Sequence, residues 1–438
     1  MNLNFKKKHM DIGTFPFNFI RTLSLAGTGG AEINECFLAG KKIQNNSWKS
    51  WIHEWALLAE KVAKKAESAL SMDQKETARK AYLRASNYYR SAMFPMSPSD
   101  NMFDKYLTLS REYFHKAIKL FDISIEPVEI NMEKYKLPAY FISAGKQNSP
   151  TLVAINGGDS TNEELVQWIG LASAERGFNC IVFEGPGQWS ALQLNPGFYM
   201  RYDYEIPTKA VIDYLETKKE VDPNKIAVIG YSLSTQLAIR ASVFDNRIKA
   251  CICSGGVVVD VYEAWHDVWP LFIQKAPDVV FDFMFEKIFE KISPQVHSLV
   301  NRFRAMFGLN KTTEIIQAWK PFNIVDLAPD MKCPLLLLIG EAEYAQTGEN
   351  LIRSSYKFLK KLTCPVSIHE FTYDEGWAAS HCAVGALAPS QGVIFEWLDK
   401  VINNVDLPKE PFDFKLINKY FYNKEFIEIQ RNNNITKA

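Results

Sequence analysis

The sequence predicts an α/β fold with a mostly parallel sheet, preceded by a helical N-terminal domain and interrupted by a helical cap insertion. Three observations lead there. Residues 46 to about 121 place apolar side chains at helical spacing. From Ile123 onward, short apolar runs alternate with amphipathic stretches. That alternation breaks once, between Cys253 and Pro334, in a long aromatic-rich segment. Continuous apolar strands separated by helices imply a parallel sheet covered on both faces.

Taken in order, Ser47 is placed to cap a first helix whose Trp51, Trp55, Leu58, Val62 and Ala66 share one face. A second helix runs from about Asp73 to Phe94 and stops at Pro95 and Pro98, and a third spans about Asp100 to Phe121. Helix pairs of this size can mimic a tetratricopeptide repeat, but no clean second copy follows. Ile123 to Ile130 and Leu137 to Ile142 read as a strand hairpin. Strands are then expected at Thr151–Ile155, Cys180–Phe183, Ile226–Ile229, Ile248–Cys253, Pro334–Ile339 and Val366–Phe371. Helices are expected near Asn162–Arg176, Pro207–Thr217, after Leu233 and at Gln391–Ile402. The segment after Cys253 carries Tyr262, Trp265, Trp269, Phe272, Phe281, Phe283, Phe285, Phe289, Phe303, Phe307 and Trp319, and is too long for a loop between neighbouring strands. The expected organisation is a helical domain over 1–122, a core over 123–254 and 331–404, a cap over 255–330, and a C-terminal extension over 405–438 whose Asn-rich end frays.

Bulk properties narrow the function. At 438 residues the chain exceeds one ordinary domain. Lys+Arg and Asp+Glu both number 50, so no global field favours nucleic acid or an anionic membrane. The Lys6-Lys7-Lys8 run reads as a solvated terminus and no apolar core follows it, so neither a secretory signal nor a membrane span is expected. Of seven cysteines, Cys251 and Cys253 lie two apart on one strand, where extended backbone keeps them from bridging. Free thiols and a cytoplasmic location are expected. No metal-ligating cluster or cofactor motif is visible, so no cofactor is expected.

The strongest chemical signal is Gly230-Tyr231-Ser232-Leu233-Ser234, which follows an apolar strand and precedes a helix. A sharp strand-to-helix turn lifts a serine hydroxyl above the sheet, beside backbone N–H groups able to hold an oxyanion. Such a serine needs a base. His9, His53, His115, His266, His297 and His369 lie in the terminal arm, the helices, the insertion or a strand. His381 alone follows the last strand, at the carboxyl edge of the sheet where ligands bind. The orienting acid should lie between them in chain order. Glu343, three beyond Gly340, is the first choice, with Glu341 and Asp374 as rivals. Oxyanion donors are expected at the N–H groups of Leu233 and Gly158. The loop Asn156 to Thr161 also reads as a plain turn in which Asp159 or Ser160 caps the next helix. Glu184-Gly185-Pro186-Gly187-Gln188 is wrongly spaced for a phosphate fingerprint and is expected to shape the same edge.

From about Glu35 to Ile402 the chain resembles the α/β-hydrolases with a helical N-terminal domain, a group that includes 2,6-dihydroxypseudooxynicotine hydrolase and polyketide-shortening hydrolases of pigment pathways. The resemblance rests on the Trp51–Trp55 helix, Ala85-Ser86-Asn87-Tyr88-Tyr89-Arg90, Asn156-Gly157-Gly158-Asp159-Ser160, Glu184-Gly185-Pro186-Gly187-Gln188, the serine elbow and Ser380-His381-Cys382. It implies the α/β-hydrolase fold, a Ser-acid-His triad, in several members hydrolysis of a carbon–carbon bond beside a ketone and in related members ester or amide hydrolysis, and a place for Asp159 near a small-molecule substrate. Three positions depart from the group's pattern: Ser234 stands for glycine, Glu343 for aspartate, and Glu184 for aspartate.

The reaction expected on these grounds is retro-Claisen cleavage of a β-dicarbonyl through an acyl-enzyme, with His381 or Asp159 returning the proton to carbon. The alternatives are a carboxylester hydrolase with the same residues, or an inert binding or scaffold protein that uses its N-terminal helices as a partner surface. Those helices also offer a homodimer surface.

Overall fold

The computed structural model describes residues 14–256, 258–263, 277–289, 293–346, 349–405 and 407. Lys6 to Lys8, His9, Trp265, His266, Trp269, Phe272 and the extension assigned to 405–438, except Val405 and Leu407, lie outside the described residues.

Five helices precede the sheet: α1 (Phe15–Leu23), α2 (Ile33–Lys42), α3 (Trp48–Ser71), α4 (Lys75–Met93) and α5 (Asn101–Ile118). Ser47 caps α3, its side chain accepting from the N–H of Ser50 at 3.2 Å. The first two helices were not anticipated. In α1 the polar Asn18, Arg21 and Thr22 share one face, but that face is buried along with Phe15, Phe17 and Phe19. Pro16 sits in its first turn, where a missing N–H costs nothing. Trp51 and Trp55 of α3 are fully buried. Trp55 packs on Tyr88 of α4, and the Trp51 indole N–H donates to the Ser91 carbonyl at 2.7 Å.

The eight strands are β1 (Ile125–Met132), β2 (Tyr135–Ile142), β3 (Ser149–Ile155), β4 (Asn179–Phe183), β5 (Val221–Tyr231), β6 (Ile248–Ser254), β7 (Leu335–Gly340) and β8 (Val366–Phe371). They form one sheet in the order β1-β2-β4-β3-β5-β6-β7-β8. The hairpin β1–β2 and the β2–β4 pair are antiparallel, and every other pair is parallel. Alternating side chains serve opposite faces. Leu152, Ala154, Ala227 and Ile229 join the N-terminal helices and the last helix, Leu387–Ile402, in one apolar core. Val153, Ile155, Ile226 and Val228 join the other, which includes the cap residues Phe281, Phe285, Val300 and Trp319. The last helix starts earlier than its sequence suggests, because Pro389 sits in the first turn rather than ahead of it. The helix after β3 is likewise not uniform. Asn162–Leu165 passes through a π-turn at Val166–Gly170 into Leu171–Glu175.

Parallel strands direct the ends of β3, β5, β6, β7 and β8 to a common edge, which carries the loops that begin at Asn156, Ser232, Gly255, Glu341 and Thr372. All seven cysteines are free thiols. Among the described residues, no helix is long and apolar enough to cross a membrane.

The α3–α4 layer shares its core with the sheet, so its loss should be felt globally. Trp55→Ala is expected to cost about 3–5 kcal/mol, read as a lower urea midpoint in a single transition. An unchanged midpoint would separate the helical layer from the cooperative core.

Candidate active site

Ser232 follows the last residue of β5 and precedes the helix Ser234–Phe244, with its backbone left-handed at φ 56°. A β-carbon on Gly230 would fall 2.0 Å from the Ser234 carbonyl oxygen, so the tight turn admits only glycine there. The Ser232 N–H donates to the Ser254 carbonyl at 2.8 Å, extending the β5–β6 ladder into the elbow. Ser234 explains its own departure from glycine. It is fully buried, and its hydroxyl donates to the Asn156 carbonyl, joining the elbow to the loop after β3.

His381 lies in a short turn, His381–Ala383, in which Cys382 and Ala383 both have positive φ. The Ser380 hydroxyl is within hydrogen-bond reach of the Trp377 and Val384 carbonyls, at 2.7 and 2.8 Å, and so braces both sides of the turn. His381 Nε2 stands 2.7 Å from Ser232 Oγ, and Nδ1 stands 2.7 Å from Glu343 Oε1. Gly255 lets the ring pass, since a β-carbon there would lie 2.9 Å from His381 Cε1.

Glu343 sits in the helix Glu341–Gln346, directly after β7. Its Oε2 accepts from the Gly340 N–H at 3.0 Å and its Oε1 also accepts from the Cys382 N–H at 3.2 Å, which turns the longer side chain back over the strand end. The two rival carboxylates are elsewhere. Glu341 accepts from the Tyr373 N–H at 2.7 Å, and Asp374 is exposed. The structure therefore brings Glu343 to His381, and neither Glu341 nor Asp374. Burial works against a charge on His381, but the adjacent Cys382 and the Glu343 carboxylate outweigh it and hold the imidazole pKa well above its ordinary value.

The loop after β3 lies against the elbow: a β-carbon on Gly157 would sit 3.4 Å from Ser232 Cβ, and one on Gly158 3.4 Å from Leu233 Cδ2. The Gly157 N–H donates to Ser160 Oγ at 2.8 Å, while the N–H groups of Gly158 and Leu233 have no partner among the described residues. Two such amides beside a serine are suited to a developing oxyanion. Thr161, and not Asp159 or Ser160, caps the following helix. The Gln188 side chain, from the Gly-Pro-Gly motif, donates to the Asn156 and Gly157 carbonyls at 2.5 and 3.1 Å and braces the same loop. Glu184 accepts from the Asn162 N–H at 3.0 Å and from the Ser190 N–H. Burial and then Glu163 push its carboxyl up to about 7.

Asp159 is differently placed from a proton donor. Its Oδ1 meets Arg21 at 2.9 Å, and its Oδ2 meets Arg302 at 3.3 Å. Burial would raise its pKa, but Arg21 and then Arg302 outweigh that and hold it at about 2. The expectation that Asp159 could return a proton to carbon is therefore corrected: held at about 2, the carboxyl is ionised at neutral pH and carries no proton to give. Arg21 is the unanticipated centre of this cluster. It grips Glu164 through Nε and Nη2 at 2.8 and 2.6 Å, and Arg90 Nη1 approaches Glu164 at 3.3 Å. No periodicity could reveal it, because its partners lie more than a hundred residues away.

Comparison with known proteins gives the chain's relatives. The FrsA-like family, described as Esterase FrsA-like, matches residues 44–307. The chain is 32% identical over 268 residues to Hydrolyase poxO of Penicillium oxalicum, covering 58% of this chain and 61% of that protein, which is less than two thirds of its length. It is 30% identical over 422 residues to Alpha/beta hydrolase psoB of Aspergillus fumigatus, covering 88% and 92%. It is 26% identical over 404 residues to 20-hydroxy-prefusarin hydrolase FUS2 of Gibberella moniliformis, covering 88% and 96%. The crystal structure of the 2,6-dihydroxy-pseudo-oxynicotine hydrolase aligns over 87% of this chain and 95% of its own with a TM-score of 0.66 at 18% identity, which shows the shared fold.

Two outcomes follow from the site. A base must be neutral to accept a proton, so with His381 held well above its ordinary pKa, fluorophosphonate labelling of Ser232 should rise with pH, with a midpoint above that of a free imidazole. Glu343→Gln should move that rise to lower pH and cut the plateau by at least about 100-fold; an unmoved midpoint would detach Glu343 from the imidazole. Arg21→Met leaves the buried Glu164 and the half-buried Asp159 with fewer partners and should cost about 3–5 kcal/mol in chemical unfolding, whereas a neutral result would show that the cluster carries little net stability.

Proposed function

The chain belongs to the FrsA-like esterase family of α/β-hydrolases, and on that premise we propose that it is a serine hydrolase that cleaves a carbon–carbon bond beside a ketone. The observation that carries the serine mechanism is the continuous relay from Ser232 Oγ through His381 to Glu343, with both hydrogen bonds at 2.7 Å. The substrate-hydrolysing reading is supported by a relative named 20-hydroxy-prefusarin hydrolase. It is also supported by the aromatic cap wall of Phe303, Phe307, Trp319 and Phe322, whose Phe303 ring comes within 3.9 Å of where a Gly158 β-carbon would stand.

In this mechanism Ser232 Oγ attacks the ketone carbonyl of a β-dicarbonyl as His381 Nε2 takes the hydroxyl proton. The oxyanion is held by the N–H groups of Leu233 and Gly158. Collapse restores the carbonyl and breaks the bond to the α-carbon, whose electron pair is delocalised into the second carbonyl as an enolate. The imidazolium returns its proton to that carbon. Water, deprotonated by His381, then attacks the acyl-enzyme, and Ser232 regains its hydrogen as the acid leaves. The net change adds one water across the carbon–carbon bond. Glu343 stabilises the imidazolium at each stage.

The same residues would hydrolyse a carboxylester, a reading favoured by the family's description as esterase-like. A panel of aromatic β-diketones beside chromogenic esters separates the two: cleavage of the diketones to an acid and a methyl ketone supports the first, and turnover of esters alone supports the second. In either case Ser232→Ala should lower kcat by about 1,000-fold or more and abolish fluorophosphonate labelling. Near-normal turnover in that variant would end the covalent mechanism.

A further inference from the structure

The charge cluster beside the elbow is unbalanced. Arg21, Arg90 and Arg302 are 4%, 3% and 5% exposed, and they share two carboxylates, Asp159 and Glu164. Glu343 is engaged with His381. One guanidinium charge in the cluster therefore lacks a counter-charge among the described residues, and donor accounting shows which. Arg21 uses Nε, Nη1 and Nη2 on the two carboxylates. Arg90 is enclosed by Asn87, Thr22 and Ser91 in addition to Glu164. Among the described residues Arg302 makes a single polar contact, Nη1 to Asp159 at 3.3 Å, longer than charge-assisted pairs usually run. Its Nε is buried without a partner among those residues, and its guanidinium carbon lies 4.5 Å from the Phe94 ring centroid. A buried cation with most of its fork unused is costly unless something completes it.

Position says what that is. Arg302 lies on the cap helix Pro294–Phe307, next to Phe303, which faces Gly158. Asp159 is the residue after Gly158. The free donors are thus at the cap side of the loop expected to hold the oxyanion. We propose that Arg302 binds an anionic oxygen of the substrate, a carboxylate or the enolate oxygen of an enolised β-dicarbonyl. The guanidinium fork suits either, since it presents paired donors in one plane. Asp159, clamped by Arg21, aims the fork, and substrate supplies the missing negative charge. This rests on the Ser232 region being the substrate site and adds to it the class of substrate: a monoanion, or a diketone bound as one.

The test uses the full chain with Ser232→Ala, so that binding is read without turnover. Phenylacetate should bind at least about ten-fold more tightly than the isosteric phenylacetamide, a difference worth about 1.4 kcal/mol, and added salt should erode the preference. Benzoylacetone should show its enolate absorption when bound. Adding Arg302→Gln should abolish whichever signal the parent shows, and Arg302→Lys should retain part of it. A carboxylate preference alone assigns a carboxylate, and an enolate spectrum alone assigns an enolate. Equal affinities with no enolate spectrum in the parent overturn the proposal. So does a signal that survives Arg302→Gln in a variant with the parent's unfolding midpoint. The parent measurements decide even if Arg302→Gln fails to fold. Fluorophosphonate labelling of the unsubstituted chain reports separately on the serine mechanism, so an unselective pocket and an unreactive serine are distinguishable.

Discussion

A serine held at φ 56° costs backbone strain that only its surroundings can sustain, and much of the sheet's carboxyl edge is organised around that one residue. The Ser232 N–H is secured by Ser254 in the neighbouring strand. Gly230 leaves room for the turn, Gly255 leaves room for the imidazole, and Ser234 joins the turn to the loop carrying Gly157 and Gly158. The hydroxyl, the His381 ring and the amides of Leu233 and Gly158, unpartnered among the described residues, consequently occupy fixed relative positions. Fixed donors and a fixed base are what acyl-type chemistry requires, because no reorganisation is then needed as charge develops.

Around this edge lies a second layer built from buried charge. A guanidinium withdrawn from water must find carboxylates, and the search crosses the whole chain: Arg21 from the first helix, Arg90 from the fourth, Glu164 after the third strand and Arg302 from the cap. The helical N-terminal region is therefore part of the site's support. Asn87 extends the same link, donating to the Thr22 and Gly30 carbonyls at 2.9 and 2.8 Å and anchoring the segment that presents Arg21. Arg21 and Arg302 hold Asp159 as an anion at the edge of this cluster.

The departures from the group's usual residues acquire physical reasons in this setting. Ser234 contributes a hydrogen bond that glycine could not. Glu343 spans its extra methylene by folding back onto the Gly340 N–H. Glu184, at the end of β4, ties the backbone of Asn162 and Ser190 and so connects two loops of the same edge.

The sequence by itself determined most of the strands, the mostly parallel character of the sheet, the long helices ahead of it and the helical, aromatic-rich break between β6 and β7, because each rests on local periodicity that short-range packing enforces. It also marked Ser232 and His381, since an elbow between strand and helix and a histidine after the last strand are local patterns. Only the tertiary structure decided which of three carboxylates meets the imidazole, as Glu341, Glu343 and Asp374 differ in what the folded backbone offers them and not in their chemistry. The same holds for the Arg21 cluster and for the burial of the polar face of α1, which carries Asn18, Arg21 and Thr22. Contacts between residues more than a hundred positions apart are set by the closing of the sheet and its covering layers, and nothing in the local order of side chains encodes them separately.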